Sequence, residues 1–308
     1  MSKPTLLISN YHLDYTGGGT YVMMILNILK RYYTIFSDNN INYYHDQHTP
    51  FRFERGEIQP DSPTQIYDVH LFAHYRGWIP PRGKFNAQIL YYPIQKEVTG
   101  WNNFFVLNEF CSKAANVYSG VNHIITPYYD ANQFYVSDKT VDLINIGHYF
   151  IEHDGHSKNQ HLIMNWFKTK PQFNKIIFHG ALSNSNFYSY LQNLAADDPR
   201  IVLKHNRTQQ EIKQDLASAK YMVHANGYRR TAPEQNEHFG LVAVEALLSG
   251  CQPIVHKSGG CPDIPGVLSY NEFDDMVFGT TNPTELRKFG MLFNKENTEN
   301  QLKDALNL

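Results

Sequence analysis

Two glutamates, Glu237 and Glu245, stand eight positions apart within residues 237–264, which read EHFGLVAVEALLSGCQPIVHKSGGCPDI. Leu241, Val244, Leu247 and Leu248 recur at helical spacing, so the stretch predicts a helix opening just after Gly240, with Glu237 before it and Glu245 in its second turn. The backbone amides of Phe239, Gly240 and Leu241 then point out of a helix N-terminus, where aligned peptide dipoles favour an anion. A carboxylate beside such a site suits a polyhydroxylated molecule that carries phosphate, and a nucleotide sugar fits that description. Downstream, GCQPIVHKSGG reads as a strand ending in a Gly-Gly turn. That puts unhindered backbone at the C-terminal edge of a strand, where α/β sheets bind ligands. Two glutamates at this spacing occur often by chance and, taken alone, read as a helix cap and a solvated side chain; the surrounding block is what favours a site.

The elements that must position these residues alternate between short apolar runs and helical patterns, the signature of parallel α/β layers. In the first half, residues 4–9 predict a buried strand, 14–20 a glycine-rich turn containing Gly18 and Gly19, and 21–32 a helix. Further strands are expected at 69–73, 87–92, 104–107 and 123–126, with a helix at 109–118. Residues 127–140 lack periodicity and hold Pro, Asp, Asn and Ser, which marks a linker and divides the chain into 1–137 and 138–308. The second half repeats the scheme. Its strands are expected at 141–146, 175–179, 201–205, 221–225 and 252–256, and its helices at 160–168, 187–195, 209–217 and 241–248. Two helical segments near the end, 284–293 and 298–306, brace the second half or cross back to the first. The expected fold class is α/β, with two tandem Rossmann-like halves.

The 308 residues fit this count, at roughly 100–200 residues per domain. A net charge of −2 lacks the whole-chain basic footprint of a nucleic-acid binder. Three scattered cysteines, with no CxxC pair, give neither a disulfide framework nor a zinc half-site and fit a reducing compartment. The first residues lack a signal-peptide core, and no apolar run approaches the roughly 18–20 residues that span a bilayer. A cytoplasmic protein is expected, with peripheral membrane contact left open. His148, His153, His156 and His161 match no metal-site spacing such as HExxH, so no metal is expected; the acid pairs Asp197–Asp198 and Asp274–Asp275 read as turn and capping residues.

At residues 237–264 the chain resembles the donor-binding signature of the retaining glycosyltransferases of family 4, which have the GT-B fold: two Rossmann-like domains facing across a cleft. The two glutamates with seven residues between them are that family's hallmark. The resemblance implies that Glu237 lies against the donor sugar near the reacting centre and that Glu245 binds the ribose hydroxyls. Upstream, residues 147–160, GHYFIEHDGHSKNQ, resemble a variant of the family's motif whose arginine and lysine hold the donor diphosphate. Lys158 matches the lysine. His148 stands where the arginine is expected, and Arg229 or Arg230 could compensate. TGGGT at 16–20 resembles the family's glycine loop, which adds Gly18 and Gly19 to the donor-binding set. Many relatives place a histidine where Tyr91 and Tyr92 fall here; His70 and His74 are the spatial candidates for that role.

The implied reaction moves a sugar from a nucleotide-diphosphate sugar to an acceptor hydroxyl with retention of configuration and no cofactor. Glu237 and Lys158 are the expected catalytic residues; His148, Glu245, Phe239, Gly240, Leu241 and Arg229 are expected to bind the donor. The acceptor could be a glycan, a lipid-linked sugar, a protein or modified nucleic acid. The rival reading, motivated by His148, is a non-catalytic sugar-nucleotide or glycan-binding module on the same fold.

Overall fold

The computed structural model describes residues 2–9, 17–38, 57–73, 79–90, 100–115 and 120–308. The chain forms two compact units, Met1–Tyr128 with Lys295–Leu308, and Tyr129–Asn294. The first unit runs β1 (Thr5–Ser9), α1 (Gly17–Leu29), β2 (Thr34–Ser37), β3 (Ile58–Pro60), β4 (Tyr67–Phe72), β5 (Gly83–Leu90), β6 (Asn103–Val106), α2 (Glu109–Ala115) and β7 (Val121–Ile124). The second runs β8 (Val141–Ile146), α3 (Gln160–Lys168), β9 (Ile176–Gly180), α4 (Ser185–Ala195), β10 (Ile201–His205), α5 (Gln209–Ser218) and β11 (Ala219–His224). It continues through α6 (Leu241–Leu248), β12 (Gln252–His256), β13 (Leu268–Tyr270) and α7 (Pro283–Gly290), after which α8 (Lys295–Leu306) rejoins the first unit.

Both sheets are parallel. The first has the order β3-β2-β1-β4-β5-β6-β7 and the second β10-β9-β8-β11-β12-β13. Covered on both faces, the central strands are near-continuous apolar runs such as TLLIS in β1, with Leu6, Leu7 and Ile8 fully buried. In the second sheet the chain winds outward from β8 to β10, then returns to lay β11 on the other side of β8. That reversal is a topological switch point, where open α/β sheets bind ligands at the carboxyl ends of their strands. The buried Asn145 amide donates to Val223 O at 2.8 Å and ties β8 to β11 there. The Tyr149 hydroxyl, 2.9 Å from Phe178 O and 3.0 Å from Lys204 O, fixes the chain just past β8 against β9 and β10.

Three expectations change. Gly18 and Gly19 lie in the first turn of α1 rather than in a turn ahead of it, because the apolar stripe of Tyr21, Val22, Ile25 and Leu29 carries the helix and packing overrides weak glycine propensity. β2, β3 and β13 were not expected; with three or four residues each they are too short to show a period. The units divide at 128–129 rather than 137–138, because residues after Tyr128 pack on the second unit. There the Tyr129 amide donates to Phe293 O at 2.8 Å, its hydroxyl donates to Leu241 O at 3.1 Å, and its ring meets Phe134. The paired acids are structural, as Asp197 pairs with Lys168, Asp198 with Arg200 and Asp274 with Lys170, while Asp275 accepts from the Glu272 amide. Among the described residues no helix is long and apolar enough to cross a membrane.

Candidate functional site

Past β8 the chain passes Gly147 and His148, makes a short loop and returns at Lys158 before α3. The Lys158 stem lies on Gly147, where an added Cβ would stand 3.0 Å from Lys158 Cγ. Asn159 takes a left-handed turn (φ 56°), which asparagine tolerates better than most residues, and its amide donates to Ala225 O at 2.7 Å. The Lys158 loop is thereby tied to the end of β11. Past β11 the chain runs outward through Gly227 and comes back at Glu237, whose carbonyl accepts from the Gly260 amide at 2.9 Å.

These paths bring the two expected catalytic side chains together at the switch point. Lys158 Nζ donates to Glu237 Oε2 at 2.9 Å, and the same oxygen accepts from Asn226 Nδ2 at 3.2 Å. His224 Nε2 lies 3.5 Å away. Burial works to raise the Glu237 carboxyl, but Lys158 and His224 outweigh it and hold the carboxyl down at about 2. Burial also depresses His224 and His238 to about 4, against the pull of Glu237. At neutral pH Glu237 is therefore a carboxylate and His224 and His238 are neutral imidazoles. A carboxylate that is ionised throughout the physiological range is a poor proton carrier and a good electrostatic anchor.

The other expected residues spread around this pair. Gly240 (φ 89°) opens α6 with no side chain capping the helix, and Leu241 is its first residue. Phe239 is buried edge-on against Phe293. Glu245, one turn into α6, feels Lys213 and Tyr129 rather than Glu237, and burial pushes it up to about 7. His148 lies at the end of β8 with Nδ1 3.4 Å from Ser183 Oγ. Arg229 is exposed and stacks over Tyr228, and Arg230 binds the Asp154 carbonyl. Gly18 and Gly19 belong to the first unit. His70 is buried in β4 between Ser9 Oγ and the Arg82 amide. His74, Tyr91 and Tyr92 lie outside the described residues. Among the described residues no three His, Cys, Asp or Glu side chains gather as a metal ion requires.

Sequence reasoning missed His224, Asn226 and Asn159. His224 is the last residue of β11 and Asn226 lies in the turn after it, so no strand or helix period links either to Glu237.

No family model and no curated protein matches the chain. Solved structures do. HepE from Anabaena, in complex with UDP-glucose, is 12% identical over 99% of both chains with a TM-score of 0.70. AviGT4, a glycosyltransferase of avilamycin A biosynthesis, is 12% identical over 99% of this chain and 97% of its own, with a TM-score of 0.66. WaaB, a lipopolysaccharide outer core galactosyltransferase, is 8% identical over 98% of both chains with a TM-score of 0.69. The chain shares their GT-B fold.

Proposed function

We propose that the chain is a glycosyltransferase that moves a sugar from a nucleoside-diphosphate sugar to an acceptor hydroxyl with retention of anomeric configuration. The observation that carries this reading is the Lys158–Glu237 pair at the carboxyl ends of β8 and β11, at the switch point of a GT-B unit. Lys158, the open N-terminus of α6 at residues 239–241 and His148 receive the diphosphate. Glu245 takes the ribose hydroxyls, and Glu237 lies against the donor sugar. In the reaction the bond from the anomeric carbon to the phosphate oxygen breaks, and the diphosphate leaves with the electron pair. The acceptor oxygen attacks the same face, and its proton passes to the departing phosphate oxygen. Glu237, ionised, supports the positive charge that grows at the anomeric carbon, while Lys158 neutralises the leaving group. No metal is needed for this neutralisation, and the setting is cytoplasmic.

The test is thermal stabilisation by a panel of nucleoside diphosphates and nucleotide sugars, followed by release of free sugar from the best donor. A selective shift with hydrolysis supports the reading, and Glu237→Gln should then slow turnover about 10²–10³-fold at unchanged fold. The rate should survive chelator, and the anomer formed on an acceptor, read by NMR, decides retention. A shift with no turnover on any acceptor would favour the binding module, and no shift at all would sink the donor site.

A further inference from the structure

One ammonium faces two claims. Lys158 is bound to Glu237 at 2.9 Å, yet the proposed reaction needs it at the diphosphate. Once Lys158 turns away, a carboxylate enclosed by protein would lose its closest donor, an arrangement that is costly unless other groups hold it. Two such groups are in place. Asn226 Nδ2 donates to Glu237 Oε2 at 3.2 Å, and His224 Nε2 lies 3.5 Å from the same oxygen. Both come from the end of β11 and both are fixed: they are buried, His224 O accepts from the Tyr270 hydroxyl and Asn226 O from Ser258 Oγ. The tautomer of His224 follows from its other nitrogen. The Asn226 backbone amide points at Nδ1 at 3.4 Å, so Nδ1 is an acceptor and the ring proton sits on Nε2, facing the carboxylate.

We propose that His224 and Asn226 are positioning residues that hold the Glu237 carboxylate against the donor sugar when Lys158 is drawn to the diphosphate. The proposal rests on the reading of this site as one for a nucleoside-diphosphate sugar. The charged and titratable groups around Glu237 are Lys158 from the loop before α3, His224 from β11, the adjacent His238, and Cys261 from the turn after Gly260. With Lys158 engaged elsewhere, loss of the His224 donor removes a group that favours the ionised carboxylate, so protonation of Glu237 moves to higher pH.

The test compares the unaltered protein with His224→Leu, His224→Gln and Asn226→Ala. UDP-glucose, or whichever nucleotide sugar gives the largest thermal shift, serves as substrate for hydrolysis. His224→Leu and Asn226→Ala should each lower kcat about 10- to 100-fold, with KM for the donor changed less than about threefold, as loss of positioning does. The acid limb of the kcat profile should move to higher pH in His224→Leu, and His224→Gln, which keeps a side-chain N–H, should restore most of both. Imidazole ¹⁵N NMR should report a neutral ring protonated at Nε2 for His224. An Nδ1-protonated ring, or a folded His224→Leu with unchanged kcat and acid limb, overturns the proposal. If the unaltered protein neither binds nor hydrolyses any nucleotide sugar, the underlying reading fails and the role falls with it, and the NMR spectrum shows separately whether the tautomer was right.

Discussion

Glu237 and Glu245 are the same residue type, yet their surroundings send their protonation in opposite directions. Burial raises both. At Glu237, Lys158 at 2.9 Å and His224 at 3.5 Å reverse that effect, whereas at Glu245 the opposing cation, Lys213, has its Nζ on Gln133 at 3.0 Å. Glu237 stays at about 2 and Glu245 rises to about 7, so only the first is fully ionised at neutral pH. A carboxyl whose folded pKa lies above its unfolded value of 4.5 binds more protons folded than unfolded, so it lowers stability as pH rises from 4.5 through about 7. Glu245→Gln should therefore stabilise the ligand-free protein by about 1–2 kcal/mol at about pH 8 and give no gain near pH 5, after allowing for solvent screening at a half-buried group. If Glu245 takes the ribose hydroxyls as proposed, the same variant should weaken nucleotide binding about tenfold. Denaturant titrations at the two pH values decide it; an equal effect at both would mean that Glu245 ionises as an ordinary carboxyl.

The elements of the second unit were legible because each central strand is a four- to six-residue apolar run and each helix carries a stripe. β8 to β12 and α3 to α6 all fall where the sequence expects them, to within a few residues. What was not legible has two causes. β2, β3 and β13 carry too few residues for a pattern. The neighbours of Glu237 were hidden because His224 and Asn226 meet it only through a turn of more than ten residues, so no local spacing records the contact. The Gly-Gly turn, by contrast, announced itself, and the structure gives its reason. Gly259 (φ +73°) lies so close to Glu237 that a Cβ would stand 2.0 Å from the Glu237 carbonyl oxygen, with no flexible side chain to yield. Gly259→Ala should therefore push the Glu237 backbone away, costing about 1–3 kcal/mol of stability and about 100-fold in turnover. Gly279→Ala is the matched control, since nothing stands within 4 Å of its added Cβ. Equal activity in the two variants would mean that the turn has room the geometry denies.

At the scale of the whole molecule the chain builds the first unit, crosses to the second and returns, so the first is completed only by the last helix. α8 is held there by specific bonds: the Thr126 amide and hydroxyl donate to Gln301 Oε1 at 2.8 and 2.9 Å, Thr298 Oγ1 donates to Thr126 O at 2.8 Å, and Arg31 pairs with Glu299 at 2.5 Å. Leu302 is fully buried beneath them. The proposed donor residues, from His148 to Glu245, all lie in the other unit. A core defect in α8 and a ligand at Lys158 thus act on different compact units, and a ligand stabilises only the state that binds it. Leu302→Ala should remove about 2–4 kcal/mol from the first unit and bring forward its unfolding, while the thermal shift given by a nucleoside diphosphate persists in the second. Calorimetry with and without UDP, with proteolytic cleavage sites mapped at the intermediate temperature, separates the two. Early cleavage confined to residues 1–128 and 295–308, with the UDP shift intact, is the expected result; loss of the UDP shift in Leu302→Ala would mean that the two units fold as one cooperative body and that the donor site depends on α8.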